Sequence, residues 1–410
     1  MKYKIWYSTE DFADYIIENT SLKNFNVEKQ KICESDANNA KKFHTMPDHI
    51  KKILYLDSPD LIIEQDNEPI LSIEISREAG TGHNAFQRFA RLAAAVENNV
   101  PAFYIYPEAA IINRHGGVVG WDKINPLVFK ALDSVMNIYK IPALLFYYPS
   151  DFREFPNPIH SPNIQSKGLK MDTDYIANPD STDSQMKQMF KSINTIIECT
   201  ESKGLLKGRE MLLGNIILRE QRDFMNQQYS EKKGTMDMSP LSATCKIDTE
   251  YLINYLEKKY NSENYQIGEL LRNRKETIIY KVNAKFRGDP YPGALAAIDY
   301  LLCREGTSFE DRRFNLVLVW GELKLNDTLK ELEILDEKGS SIEDFVKDVK
   351  NSESKNLLTK GLDELKNEEI PRYYMQVRYG STFSKVKHIR VYSYFADAII
   401  FPDGSLWRDA

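Results

Sequence analysis

The residues best suited to chemistry are Asp60 and Glu74, one on each side of a short polar turn at Gln65 to Glu68. Apolar stretches flank the turn, and two such runs separated by an acidic, Asn-containing turn predict a β-hairpin. Residues facing each other across an antiparallel pair lie about 5 Å apart, so the two carboxylates can share one small volume. Two such charges repel unless a cation lies between them. Hard divalent ions such as Mg2+ take oxygen ligands, usually one or two carboxylates completed by water and phosphate oxygens. An ion held there polarises a phosphodiester, generates hydroxide from water and neutralises the leaving oxygen. Glu78 returns to the Glu74 face by the period of two and is a candidate third carboxylate. Glu64 shares parity with Asp60 and is a weaker candidate, whereas Asp57 has the opposite parity and is left out.

The elements that must position these acids can be read around them. An apolar strand carries Asp60, and a second strand spans Pro69 to Ser76. After a Gly-punctuated loop, Phe86, Phe89, Ala90, Ala93 and Val96 recur at helical spacing over residues 84–97. The strand PAFYIYP follows. The order is strand, strand, helix, strand.

With Pro59-Asp60, a gap, and Glu74-Ile75-Ser76, this arrangement resembles the PD-(D/E)XK nuclease superfamily, to which many type II restriction enzymes belong. The resemblance covers roughly residues 40–150. It implies an α/β (α+β) restriction-endonuclease-like mixed sheet flanked by helices. It also implies Mg2+-dependent hydrolysis of double-stranded DNA, with Asp60 and Glu74 as metal ligands, and a homodimer on a short two-fold site. The chain departs from the family at one position. Lysine is expected two residues after the Glu, and Ser76 stands there. A hydroxyl supplies no charge to offset the charge developing on the phosphate. Either another residue substitutes or the site is degenerate. Gln87 is a candidate, since some branches of the superfamily place Gln at a similar point; it can hold a water but brings no charge. His83 and Arg77 are further candidates, Arg77 pointing to the opposite face from Ser76 if the strand continues.

A net charge of −6 over 410 residues excludes a uniformly basic coat but not a locally basic cleft. The best local basic stretch alternates Lys281, Asn283, Lys285 and Arg287 with apolar residues, as a phosphate-contacting strand would. An edge strand guarded by charge reads the same way. Arg378 and Lys387, interleaved with aromatics, form a second candidate DNA contact. A rival centre is Glu322-Leu323-Lys324, a literal ExK, with Asp289 or Asp299 upstream. Topology weighs against it, because a helix would separate its Asp from its Glu.

The expected organisation is a nuclease core over 1–150 and an α+β recognition or dimerisation region over 151–410, after a Pro- and Asn-rich stretch at 150–182. Residues 1–52 read as partly helical, and 326–370 as charged and helical. Hydrophobic residues make up 42% of the chain, enough for a substantial core. Its four cysteines form no CxxC pair, which disfavours zinc and suits a reducing cytoplasm. No apolar run approaches the ~20 residues of a membrane span. Two functions of different class fit: a metal-dependent endonuclease, or a nucleic-acid-binding protein that keeps a nuclease-like core without the chemistry.

Overall fold

A computed structural model gives the architecture. It describes residues 1–32, 46–54, 56–77, 84–114, 117–160, 168–172, 178–232, 243–260, 271, 273–281, 291–308, 311–319, 321–335, 391, 394–400 and 405–407. The chain forms two compact units. The first joins Met1–Glu34 to Met46–Met236, and the second is built mainly from residues beyond 236.

The first unit is a six-stranded mixed sheet with helices packed against it. Its strands are β1 (Tyr3–Tyr7), β2 (Val27–Lys31), β3 (Leu61–Gln65), β4 (Glu68–Ile75), β5 (Ala102–Pro107) and β8 (Ala143–Tyr148). They run in the order β2-β1-β3-β4-β5-β8. β1, β3 and β4 pair antiparallel, while β4, β5 and β8 pair parallel. The α/β class read from the sequence therefore holds at the level of a mixed sheet with flanking helices. Parallel strands are covered on both faces, and their sequences are correspondingly apolar throughout: every residue of AFYIYP and ALLFYY is buried.

The β3–β4 hairpin turns at Asp66 and Asn67, whose φ values of 49° and 66° are those of a two-residue turn matched to strand twist. Such turns favour Asn and Asp because their short polar side chains tolerate the left-handed region. The connection from β4 to β5 contains two short helices, α3 (Asn84–Gln87) and α4 (Phe89–Glu97), with Arg88 between them. Residues 84–97 were expected to be one helix. Phe89, Ala90, Ala93 and Val96 are all buried, as their spacing predicted.

A second hairpin, β6 (Ala109–Arg114) with β7 (Gly117–Lys123), falls where RHGGVVG breaks the pattern. Helix α5 (Leu127–Tyr139) then crosses to β8. Beyond residue 150 the same unit continues with α6 (Ser184–Lys203), α7 (Leu205–Leu212) and α8 (Ile216–Lys232). α6 packs on β4 and β8, and α8 packs on α5 and β8. Asp183 caps α6 by accepting from the amides of Gln185 and Met186.

The N-terminal expectation needs correction. Residues 1–52 hold helices α1 (Glu10–Asn19) and α2 (Asp48–Leu54), but also strands β1 and β2. Tyr3 and Ile5 are wholly buried in β1, so the period of two was present in a segment too short to stand out. β2 is a largely exposed strand paired parallel to β1. Ile53 and Leu54, in the apolar stretch ahead of Asp60, close α2.

In the second unit a five-stranded sheet runs β15-β14-β11-β10-β9. Its members are β9 (Thr244–Asp248), β10 (Glu276–Lys281), β11 (Asn315–Val319), β14 (Ala398–Ile400) and β15 (Ser405–Trp407). Helix α9 (Thr249–Tyr260) follows β9; α10 (Tyr291–Ile298) lies in the crossover from β10 to β11 and ends in a π-turn at Asp299–Cys303. Strands β12 (Glu322–Asn326) and β13 (Glu331–Leu335) form a separate hairpin where the start of 326–370 was read as helical; residues 336–370 lie outside the described residues. Apolar residues in β13 alternate, with Leu332 and Ile334 buried, which is strand rather than helix periodicity.

Candidate functional site

The site is built on the β3–β4 hairpin. Leu61 pairs with Ile73, and Asp60, expected on the strand, lies just before it, beside the end of β4 that carries Glu74. A bulge fixes this match: Ile63 pairs with Leu71 but Glu64 with Pro69, leaving Ile70 as the extra residue on β4. Bulges of this kind re-aim side chains beside functional sites.

Asp60 is half-buried at the mouth of the hairpin. Its Oδ1 accepts from the Ser8 hydroxyl at 3.0 Å and its Oδ2 from the Ile75 amide at 2.9 Å. Glu74 is wholly buried. Arg91 Nη1 donates to its Oε1 at 2.6 Å, and Arg88 Nε lies 3.4 Å from the same oxygen. Arg91 Nε also lies 2.6 Å from Asp57 Oδ2, so one guanidinium joins two acids. Burial pushes the Glu74 carboxyl up to about 8, with the Asp60 charge adding to the rise and the two arginines opposing it. The same acids hold Arg91 firmly charged.

Glu74 Oε2 is the exception in this network. It is buried and accepts no hydrogen bond among the described residues. Its register partner on β5, Tyr104, likewise buries a hydroxyl with no hydrogen-bond partner among them. Buried polar atoms in that state are costly and call for a water or an ion. The oxygens that could take a hard cation are the orphan carboxylate oxygen of Glu74 and those of Asp60, which each retain a lone pair. Among the described residues no three His, Cys, Asp or Glu side chains are grouped to hold one metal. The protein's share would be two carboxylates, the usual number for Mg2+.

The other sequence candidates divide clearly. Ser76 is buried at the end of β4, and its amide donates to the Ile105 carbonyl at 2.9 Å. Glu64 accepts from Trp6 Nε1 at 2.7 Å and faces His49 Nε2 at 3.0 Å, so it is committed elsewhere. Arg77 bonds Asn178 at 3.0 Å. Gln87 lies on α3 with only its backbone described. Glu78, His83, Lys285, Arg287, Arg378 and Lys387 lie outside the described residues.

Lys281, at the end of β10, is half-buried on a strand paired on both sides, so β10 is not an edge. With Asp299 the rival centre is not assembled: both Asp299 oxygens are taken by Arg304 and Arg312 at 2.8 and 2.9 Å, while Glu322 is exposed on the separate β12–β13 hairpin. Asp289 falls outside the described residues.

Sequence reasoning missed Asp57, Arg88 and Arg91. The parity argument against Asp57 does not apply, because residue 57 precedes the strand and its direction is not set by the pleat. Arg88 and Arg91 stand three apart beside a segment of helical period, which puts them on one side of it. That spacing, next to a strand acid lacking its lysine, was the available signal.

Among the described residues no helix is long and apolar enough to cross a membrane. Compared with known proteins, the chain matches no family model, no curated protein and no solved structure.

Proposed function

We propose that the first unit is a Mg2+-dependent DNA endonuclease of the restriction-enzyme type, with Asp60 and Glu74 as the protein ligands. The observation that carries this reading is the nearness of the two acids at the open end of the hairpin, where Asp60 accepts from the Ile75 amide, together with the orphan Oε2 of Glu74. Supporting it, Glu74 lies on, and Asp60 just before, an antiparallel hairpin followed by helix and parallel strand, the order the resemblance implies. When bound, the metal supplies a polarised phosphate and a water of lowered pKa. Asp60 and Glu74 bind and orient that ion, and the buried setting of Glu74 excludes competing water from its inner face. Hydrolysis then forms one bond from water oxygen to phosphorus and breaks one phosphorus–ester oxygen bond. The water yields one proton to solvent, and the departing oxygen takes one up.

Arg91 favours a second reading, because its guanidinium already pairs with both Glu74 and Asp57 without a metal. In that case the chain binds DNA and does not cut it. Incubation of the full chain with plasmid and phage DNA in Mg2+ separates the two. Cleavage is expected from the parent, with Asp60→Ala and Glu74→Ala each slower by roughly 100-fold or more. Equal cutting by all three would refute the site, and binding without cutting under any divalent ion would favour the second reading.

A further inference from the structure

The two arginines that touch Glu74 are placed for different tasks. Arg91 is enclosed, with 11% of its side chain exposed, and its contacts are with two acids. Its charge is internally spent. Arg88 stands at the break between α3 and α4, with 29% of its side chain exposed. Its closest approach to Glu74 is through Nε, 3.4 Å from Oε1. A guanidinium carries five N–H donors in a planar fork, so anchoring it at Nε leaves the Nη donors for another acceptor. That fork suits a phosphate.

We propose that Arg88 is the cation that replaces the missing lysine, holding Glu74 through Nε and an anionic phosphate oxygen of the nucleic acid through Nη. The proposal rests on the reading of Asp60 and Glu74 as a nuclease centre. It assigns to the helical segment after β4 a charge that Ser76, buried just past the end of β4, cannot provide. Because the helical segment approaches the same carboxylate from the side, the charge reaches the site by another route. Arg91 is then a positioning residue that fixes Oε1 and so presents Oε2.

The test compares the full-length parent with Arg88→Ala, Arg88→Lys and Asp60→Ala. Arg88 is partly exposed, so all four should fold, with melting temperatures close together. In EDTA, binding to a DNA duplex is measured across a range of salt. Arg88→Ala should lower the slope of log K against log salt by about 0.9, the release expected for one lost phosphate contact. Arg88→Lys should restore it. In Mg2+, kcat for Arg88→Ala should fall roughly 100-fold with a smaller change in KM, and Lys should recover much of that loss. An unchanged salt slope and unchanged kcat in Arg88→Ala, with Asp60→Ala inactive, would overturn the role of Arg88 and leave the site standing. If Asp60→Ala also cuts like the parent, the site itself is wrong. If the parent neither binds nor cuts DNA, both fail.

Discussion

At the scale of single residues, Glu74 is decided by its surroundings more than by its type. Burial raises its carboxyl to about 8 against the pull of two arginines. An acid whose folded pKa lies above its unfolded value stabilises the fold fully below the unfolded value of about 4.3 and loses that contribution as pH rises through about 8. Glu74→Gln does not titrate. Without divalent ions, the difference in melting temperature between Glu74→Gln and the parent should therefore shift in the variant's favour from about pH 4.3 to about pH 8, followed by thermal melts at several pH values. A difference flat in pH would show that the carboxylate is solvated or fully compensated. Ser76 teaches the complementary lesson: the absence of a lysine was legible from the sequence. The proposed source of the compensating charge was marked there only by the spacing of Arg88 and Arg91, because it lies on a neighbouring element.

At the scale of elements, the β3–β4 hairpin sets the site, and most of it was legible. Its turn, its second strand and the following helical segment all lie within a residue or two of where the pattern put them. The bulge at Ile70 was not legible, since a run of apolar residues in a strand buried on both faces has no alternation to interrupt. β1 was missed for a related reason: five residues give too few periods to distinguish strand from helix. The turn itself is testable. Asn67 has φ 66°, where a β-carbon costs an ordinary residue about 1 kcal/mol or more. Asn67→Ala should lower unfolding free energy by about that amount in urea melts, and Asn67→Gly should not. Equal loss in both variants would mean that the Asn side chain, rather than its backbone tolerance, holds the turn.

At the scale of the whole molecule, the two compact units bury their charge differently. In the first, acids and arginines meet beside an orphan oxygen. In the second, Arg312 is wholly enclosed between Asp299 and Asp397, each at 2.9 Å, and Arg304 closes the other side of Asp299 at 2.8 Å. Asp397 also accepts from the Leu316 amide at 2.8 Å, which ties β11 to the start of β14. The sequence offered Asp299 as a catalytic acid; its surroundings make it a structural one. Removing one partner of a buried pair leaves the others uncompensated, at about 3–5 kcal/mol. Arg312→Met should therefore destabilise the second unit by about that much in chemical denaturation. A change below about 1 kcal/mol would show that these acids are solvated or neutral.

The central claim is that Asp60 and Glu74 together hold one hard cation. Titration of Mn2+ followed by electron paramagnetic resonance tests it most directly, comparing the parent with an Asp60→Asn, Glu74→Gln double variant. The parent should bind one more Mn2+ per chain than the double variant. Identical isotherms from two folded proteins would contradict the claim.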